Sequence, residues 1–189
     1  MNRKSAFILP LALAAGLALS PATAFAKDKK EAGAEVEEAG AMLTADMVLP
    51  KPPVGKGQIV FYRKGGFVGS AVACSAWENG QKVSSLGGGR FFVMVADPGK
   101  HAFSVKTEAK DTITLEVEPD ETQFVECKIK MGIMVGRPDI RPVTETDFRA
   151  AKKLKLTDED DMGPGPGALR HAEFKAAQEA AKAPPAPAS

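Results

Sequence analysis

The chain has few of the residues that most often perform chemistry. It holds two histidines, two cysteines, one tryptophan and one tyrosine, and its 25 basic residues nearly balance its 24 acidic ones. His101 and His171, even with both cysteines, do not reach a recognised zinc spacing, so both histidines read as ordinary surface residues. There is no C-x-x-C, which argues against a dithiol oxidoreductase. There is no G-x-S-x-G either, and Ser70 has no evident histidine partner. The run Asp158 to Asp161 lacks the alternating spacing and central glycine of a calcium loop and reads as solvated charge. Gly87-Gly88-Gly89-Arg90 leads toward a strand, so no helix N-terminus follows to hold a phosphate. These absences lead us to expect a protein that is not an enzyme and carries no cofactor or metal.

Long apolar runs are also scarce. One stands out, Phe7 to Leu19, behind Arg3 and Lys4 and before Ala24-Phe25-Ala26. A positive start, a short apolar stretch and small residues at −3 and −1 make residues 1–26 a cleavable signal peptide, with cleavage expected after Ala26. The run is shorter than the ~20 residues a membrane-spanning helix needs. No cysteine lies near the cleavage point, so the product is expected to be unlipidated and periplasmic or secreted. Cleavage would remove Arg3 and Lys4 from the 25 basic residues, leaving 23 against 24 acidic, a net charge near −1. That balance gives no attraction to nucleic acid.

Residues 27–57 read as a flexible N-terminal linker. Val36, Ala39, Leu43 and Met47 form only a weak helical stripe, broken by Gly33 and Gly40 and followed by Pro50, Pro52 and Pro53. From residue 58 the pattern is β. Ile59-Val60-Phe61-Tyr62 is a run of strand formers, and Ser70 to Trp77 is a second candidate. Asn79-Gly80 predicts a hairpin. Phe91, Val93 and Val95 alternate with Phe92 and Met94, and Asp97-Pro98-Gly99-Lys100 is a turn. Ile113, Leu115 and Val117 alternate with polar residues, as do Val125, Cys127 and Ile129. Short strands with regular turns predict an all-β domain over residues 58–156, a small antiparallel β-sandwich. Thr144 is placed to cap a short C-terminal helix that packs through Phe148 and Leu154. Residues 157–189 read as an acidic and Gly-Pro linker, then an Ala-Pro-rich disordered tail with a possible short helix.

Cys74 and Cys127 both fall in predicted strands. An oxidising compartment favours a disulfide between them, and the alternative is two buried free thiols. Two segments bracket bulky apolar residues with glycines beside a basic residue: Arg63-Lys64-Gly65-Gly66-Phe67-Val68-Gly69 and Gly132-Ile133-Met134-Val135-Gly136-Arg137. Arg63, Phe67, Val68, Ile133, Met134 and Arg137 are therefore candidate contacts for an envelope protein or a lipid surface, if they are exposed together. The alternative is that they fold inward or form sheet bulges.

The segments Gln58-Ile-Val-Phe-Tyr-Arg-Lys-Gly-Gly-Phe-Val-Gly-Ser, Glu78-Asn-Gly, Arg90-Phe-Phe-Val, Asp97-Pro-Gly-Lys-His, Lys106-Thr-Glu-Ala, Cys127-Lys-Ile-Lys-Met-Gly and Val135-Gly-Arg-Pro resemble a bacterial family of unknown function, made of short exported or lipoprotein domains. The resemblance spans about residues 54–155. The Pro-Gly-Lys-His turn is also similar to surface-layer and PEGA-type modules. The resemblance implies an immunoglobulin-like or transthyretin-like β-sandwich and no assigned activity. The expected function is a non-enzymatic exported module that binds another envelope component. The alternative is a periplasmic carrier of a small apolar ligand or lipid, which would need a pocket between the sheets.

Overall fold

The computed structural model describes residues 44–67, 71–106, 110–131 and 136–183. The expected signal peptide, most of the N-terminal linker, and Val68, Ile133 and Met134 lie outside the described residues.

Among the described residues, nine strands and two α-helices follow one another as β1 (Gly57–Arg63), β2 (Cys74–Glu78), β3 (Gln81–Leu86), β4 (Arg90–Ala96), β5 (Gly99–Lys106), β6 (Lys110–Val117), β7 (Thr122–Met131), β8 (Gly136–Val143), α1 (Glu145–Arg149), β9 (Lys155–Leu156) and α2 (His171–Lys182). They build a five-stranded sheet ordered β8-β7-β1-β4-β9 and a four-stranded sheet ordered β3-β2-β5-β6. The all-β sandwich expected from the sequence is present. It is not wholly antiparallel, because β1 pairs parallel with β7 and β4 pairs parallel with β9. Local alternation fixes which face a residue occupies but not the direction of a neighbour 64 residues away.

The turns follow their local chemistry. Asn79 and Gly80 both sit at positive φ, 48° and 80°, as the tight β2–β3 hairpin requires. The second strand begins later than Ser70, at Cys74.

β1 is buried along its whole length. Ile59 and Phe61 face the second sheet, where Phe61 stacks on Phe92 at 4.8 Å and meets Phe103 edge-on at 5.0 Å. Val60 and Tyr62 face the other way, into a second apolar cluster with Phe91, Val93 and Phe124. That cluster is closed by Met47, Phe148, Ala151, Leu154 and Phe174. Phe148 sits at its centre, 5.3 Å from Tyr62 and 5.3 Å from Phe124. β1 is therefore covered on both faces, which accounts for an unbroken apolar run where a half-exposed strand would alternate. Thr144 caps α1 reciprocally with Asp147, as the sequence indicates.

The outer layer corrects two sequence expectations. The last part of the expected N-terminal linker is held in place. Met47 is buried, Arg149 donates to the carbonyls of Met47 and Thr44, and Gln178 of α2 donates to the Val48 carbonyl at 2.7 Å. The supposed linker after residue 157 is a strap. Gly163 and Gly165 donate backbone hydrogen bonds to the carbonyls of Val83 and Lys82, both at 2.9 Å. Val95 then donates to Gly167, and Leu169 to Val93, both at 2.8 Å. A Cβ at Gly163 would collide with the Lys82 carbonyl oxygen, so the glycines serve close backbone approach rather than looseness. The strap covers the outer edges of β3 and β4, which would otherwise expose unpaired backbone groups.

Candidate contact surface at the glycine-bracketed loops

Because β1 and β7 run parallel and adjacent, the loop after β1 and the hairpin after β7 leave the sandwich at the same end. A Cβ at Gly136 would lie 3.9 Å from the Val72 side chain, which places the stems of the two loops side by side. The described stems of the two loops, far apart in sequence, are thus neighbours in space.

Their candidate residues separate. Phe67 is 96% exposed. Its ring thus gains nothing from burial, unlike most phenylalanines of the chain. Arg137 is also exposed, opposite Lys130 in the β7–β8 register. Arg63 is not a surface contact. It is 4% exposed, and its guanidinium donates to the carbonyls of Val72 and Leu86, the latter at 3.3 Å. These bonds to carbonyls of the β1–β2 loop and β3 satisfy the cation inside, and burial lowers its pKa. Val68, Ile133 and Met134 lie outside the described residues.

Next to this end, the outer face of β7 and β8 carries an ion cluster that the sequence did not announce. Glu126 is 1% exposed and bonds Arg141 at 2.8 Å, with Lys128 at 3.2 Å and Lys64 at 3.3 Å. Burial pushes its carboxyl pKa up, but the hydrogen bonds from Arg141 and Lys128 and the charge of Lys64 outweigh it, and the net result is a lowering. Tyr62 lies beside it in the β1–β7 register. Burial first, then the charges of Glu126 and Asp147, hold its phenol protonated far above the ordinary range. Three cations thus serve one buried carboxylate on this face.

The disulfide joins Cys74 of β2 to Cys127 of β7, with 6.6 Å between the Cα atoms. It ties one sheet to the other beneath the same loops. His101 departs from the surface reading. It is half-buried, with Nδ1 on Glu78 at 2.6 Å and Nε2 on the Asp97 carbonyl at 2.7 Å. Burial opposes the imidazolium, but both ring nitrogens face acceptors, and the pKa is raised. His171 Nε2 meets the Thr157 carbonyl at 2.7 Å and helps to anchor the strap.

Between the sheets, Phe61, Phe92 and Phe103 fill the space that a carrier would use for its ligand. A cleft of about 790 Å³ lies instead at the far end of β1, between residues 45–54 and α1, lined among others by Val48, Pro50, Gln58 and Arg149. Among the described residues no group of acidic, histidine or cysteine side chains could hold a metal ion, and no helix is long and apolar enough to cross a membrane.

The architecture is that of a small β-sandwich with an added outer layer. Residues 53–138 match the family described as Protein of unknown function (DUF2846). The chain is thus similar to an uncharacterised domain family, over a stretch that stops at 138 rather than near 155. The matched stretch holds most of both sheets, while α1, β9, the strap and α2 lie beyond it. No curated protein and no solved structure matches the chain.

Proposed function

We propose that this protein is a non-enzymatic, exported β-sandwich module that binds another component of the cell envelope through its glycine-bracketed loop end. One observation carries the reading: Phe67, almost wholly exposed, stands at the end where both glycine-bracketed segments emerge. Lys64, three residues before it, and exposed Arg137 at the start of β8 favour an occupant with an apolar contact and negative charge. Export rests on the signal-peptide pattern of residues 1–26 and gains support from the Cys74–Cys127 disulfide, a bond typical of oxidising compartments.

The test is a photo-crosslinking residue in place of Phe67, in cells that export the full chain. A discrete adduct with one envelope component is expected. The same residue in place of Val54, equally exposed at the opposite end of β1 roughly 20 Å away, should give none. Identical adducts from both positions, or none from position 67, would overturn the loop end as the contact surface.

A further inference from the structure

The second sheet offers a surface of a different kind. Its inner face supplies Phe103, Val105, Leu115 and Val117 to the core, while its outer face stays open. In the register of that outer face, Trp77 of β2 lies opposite Ser104 of β5, and Ser104 lies opposite Thr112 of β6. The neighbouring row pairs Lys106 with Lys110, and Lys82 flanks Trp77 from β3. Strands lie about 4.8 Å apart, so Trp77, Ser104 and Thr112 form a flat row roughly 10 Å long. Short hydroxyl side chains and one ring make a level platform with little apolar area.

Charge on this face is one-sided. Lys100, Lys106 and Lys110 are exposed and Lys82 is half-buried, while among the described residues Glu116 is the single carboxylate that alternation places beside them. None of these four lysines makes an ion pair with another described residue. The Lys106 ammonium instead sits 4.6 Å from the centre of the Trp77 ring. The indole Nε1–H is shielded from solvent while the side chain as a whole is half-buried, so the carbon part of the ring is what the face presents. An extended ligand with hydroxyls, flat carbon faces and negative charge would meet each of these features: hydroxyls at Ser104 and Thr112, a ring face at Trp77, acidic groups at the lysines. A bilayer would find no protruding apolar anchor on this face, and the nearly balanced charge of the whole chain gives no general pull on nucleic acid.

We infer that the open face of the β3-β2-β5-β6 sheet binds an anionic polysaccharide, with Trp77 stacking on a sugar ring and Lys82, Lys106 and Lys110 pairing with its acidic groups. This surface lies on different strands from the loop end and does not depend on that reading.

Trp77 is the chain's one tryptophan, so its fluorescence reports on this face directly. Titrating the full-length exported protein with polygalacturonate should change the emission saturably, while neutral dextran should not. In affinity gels containing polygalacturonate, Trp77→Ala and Lys106→Glu/Lys110→Glu should each weaken retardation by about tenfold or more. The reversal Lys175→Glu/Lys182→Glu, at exposed positions of α2, should leave it unchanged. If Trp77→Ala fails to fold, the exposed lysine pair decides alone, with thermal unfolding confirming that the pair variant remains native. Retardation indifferent to Lys106→Glu/Lys110→Glu would overturn the proposal. So would equal binding of poly-glutamate, duplex DNA or phosphatidylglycerol vesicles, which would reveal attraction to negative charge without recognition of sugar.

Discussion

The two sheets of this molecule are asymmetric. In the sheet containing β1, strands β1 and β4 are buried on both faces, by the partner sheet on one side and by residues 44–50, α1, the strap and α2 on the other, while β8 at its edge keeps Arg137 and Arg141 exposed. The sheet containing β6 is buried on one face only, and its other face presents hydroxyls and lysines. The contrast is written in the residues: Gln58 to Arg63 has no exposed position, while β6 alternates Thr112, Thr114 and Glu116 with Ile113, Leu115 and Val117. A strand in the middle layer contributes its stability twice and leaves nothing for recognition. A strand in the outer sheet contributes once and keeps a face for partners.

The strongest challenge to this picture is to remove the cover. A chain ending at Leu156 loses Phe174, Leu169 and the strap, and should lose upward of about 5 kcal/mol in urea unfolding and self-associate in light scattering. An unchanged midpoint would show that the outer layer is an appendage. Next in size is the tie between sheets. Cys74→Ser/Cys127→Ser should cost on the order of 4 kcal/mol, because the bridge spans 53 residues. Loss below about 1 kcal/mol would mean that the sheets hold together without it. A matched pair sharpens the comparison itself: Val93→Ala, on the covered face, should cost about 2 kcal/mol, against no more than about 0.5 for Thr114→Ala on the open face. Equal costs would erase the distinction. The smallest effect is pH-dependent. The folded pKa of His101 is raised, so its contribution is complete below an unfolded value of about 6.5 and is lost as pH rises through the folded value. The wild type should lose stability over that rise, and His101→Gln should flatten the dependence; parallel curves would remove His101 as its source.

Much of the central fold was legible because it is local. Alternation marked β4, β6 and β7, and Asn79-Gly80 and the Thr144 cap announced themselves. Three things were not. The parallel β1–β7 pairing depends on contacts across 64 residues, and no local signal encodes it. The strap looked like linker because Gly163, Gly165 and Gly167 suit a loose chain and a close-packed one equally, and only the Lys82 and Val95 carbonyls above them decide. Of the candidate contacts, Phe67 and Arg137 are exposed, while Arg63 turned inward because buried carbonyls needed its donors. The basic, hydroxyl-rich face could have been noticed from the outward positions of β5 and β6. Its unity, however, requires knowing that β2 lies beside β5 rather than beside β1.

The strap also sets a clock. Residues 155–169 emerge well after β1 to β4 during synthesis, yet they pair with β3 and β4, whose partners β2 and β1 are by then available. Until that segment arrives, both strands have one side open to any extended chain that comes first. Closure within the molecule must then outrun capture from outside, and a topology this rich in distant pairings folds slowly. The carboxyl-terminal quarter is in this sense a latch that the chain carries for itself, and its speed determines whether the rest arrives as a monomer.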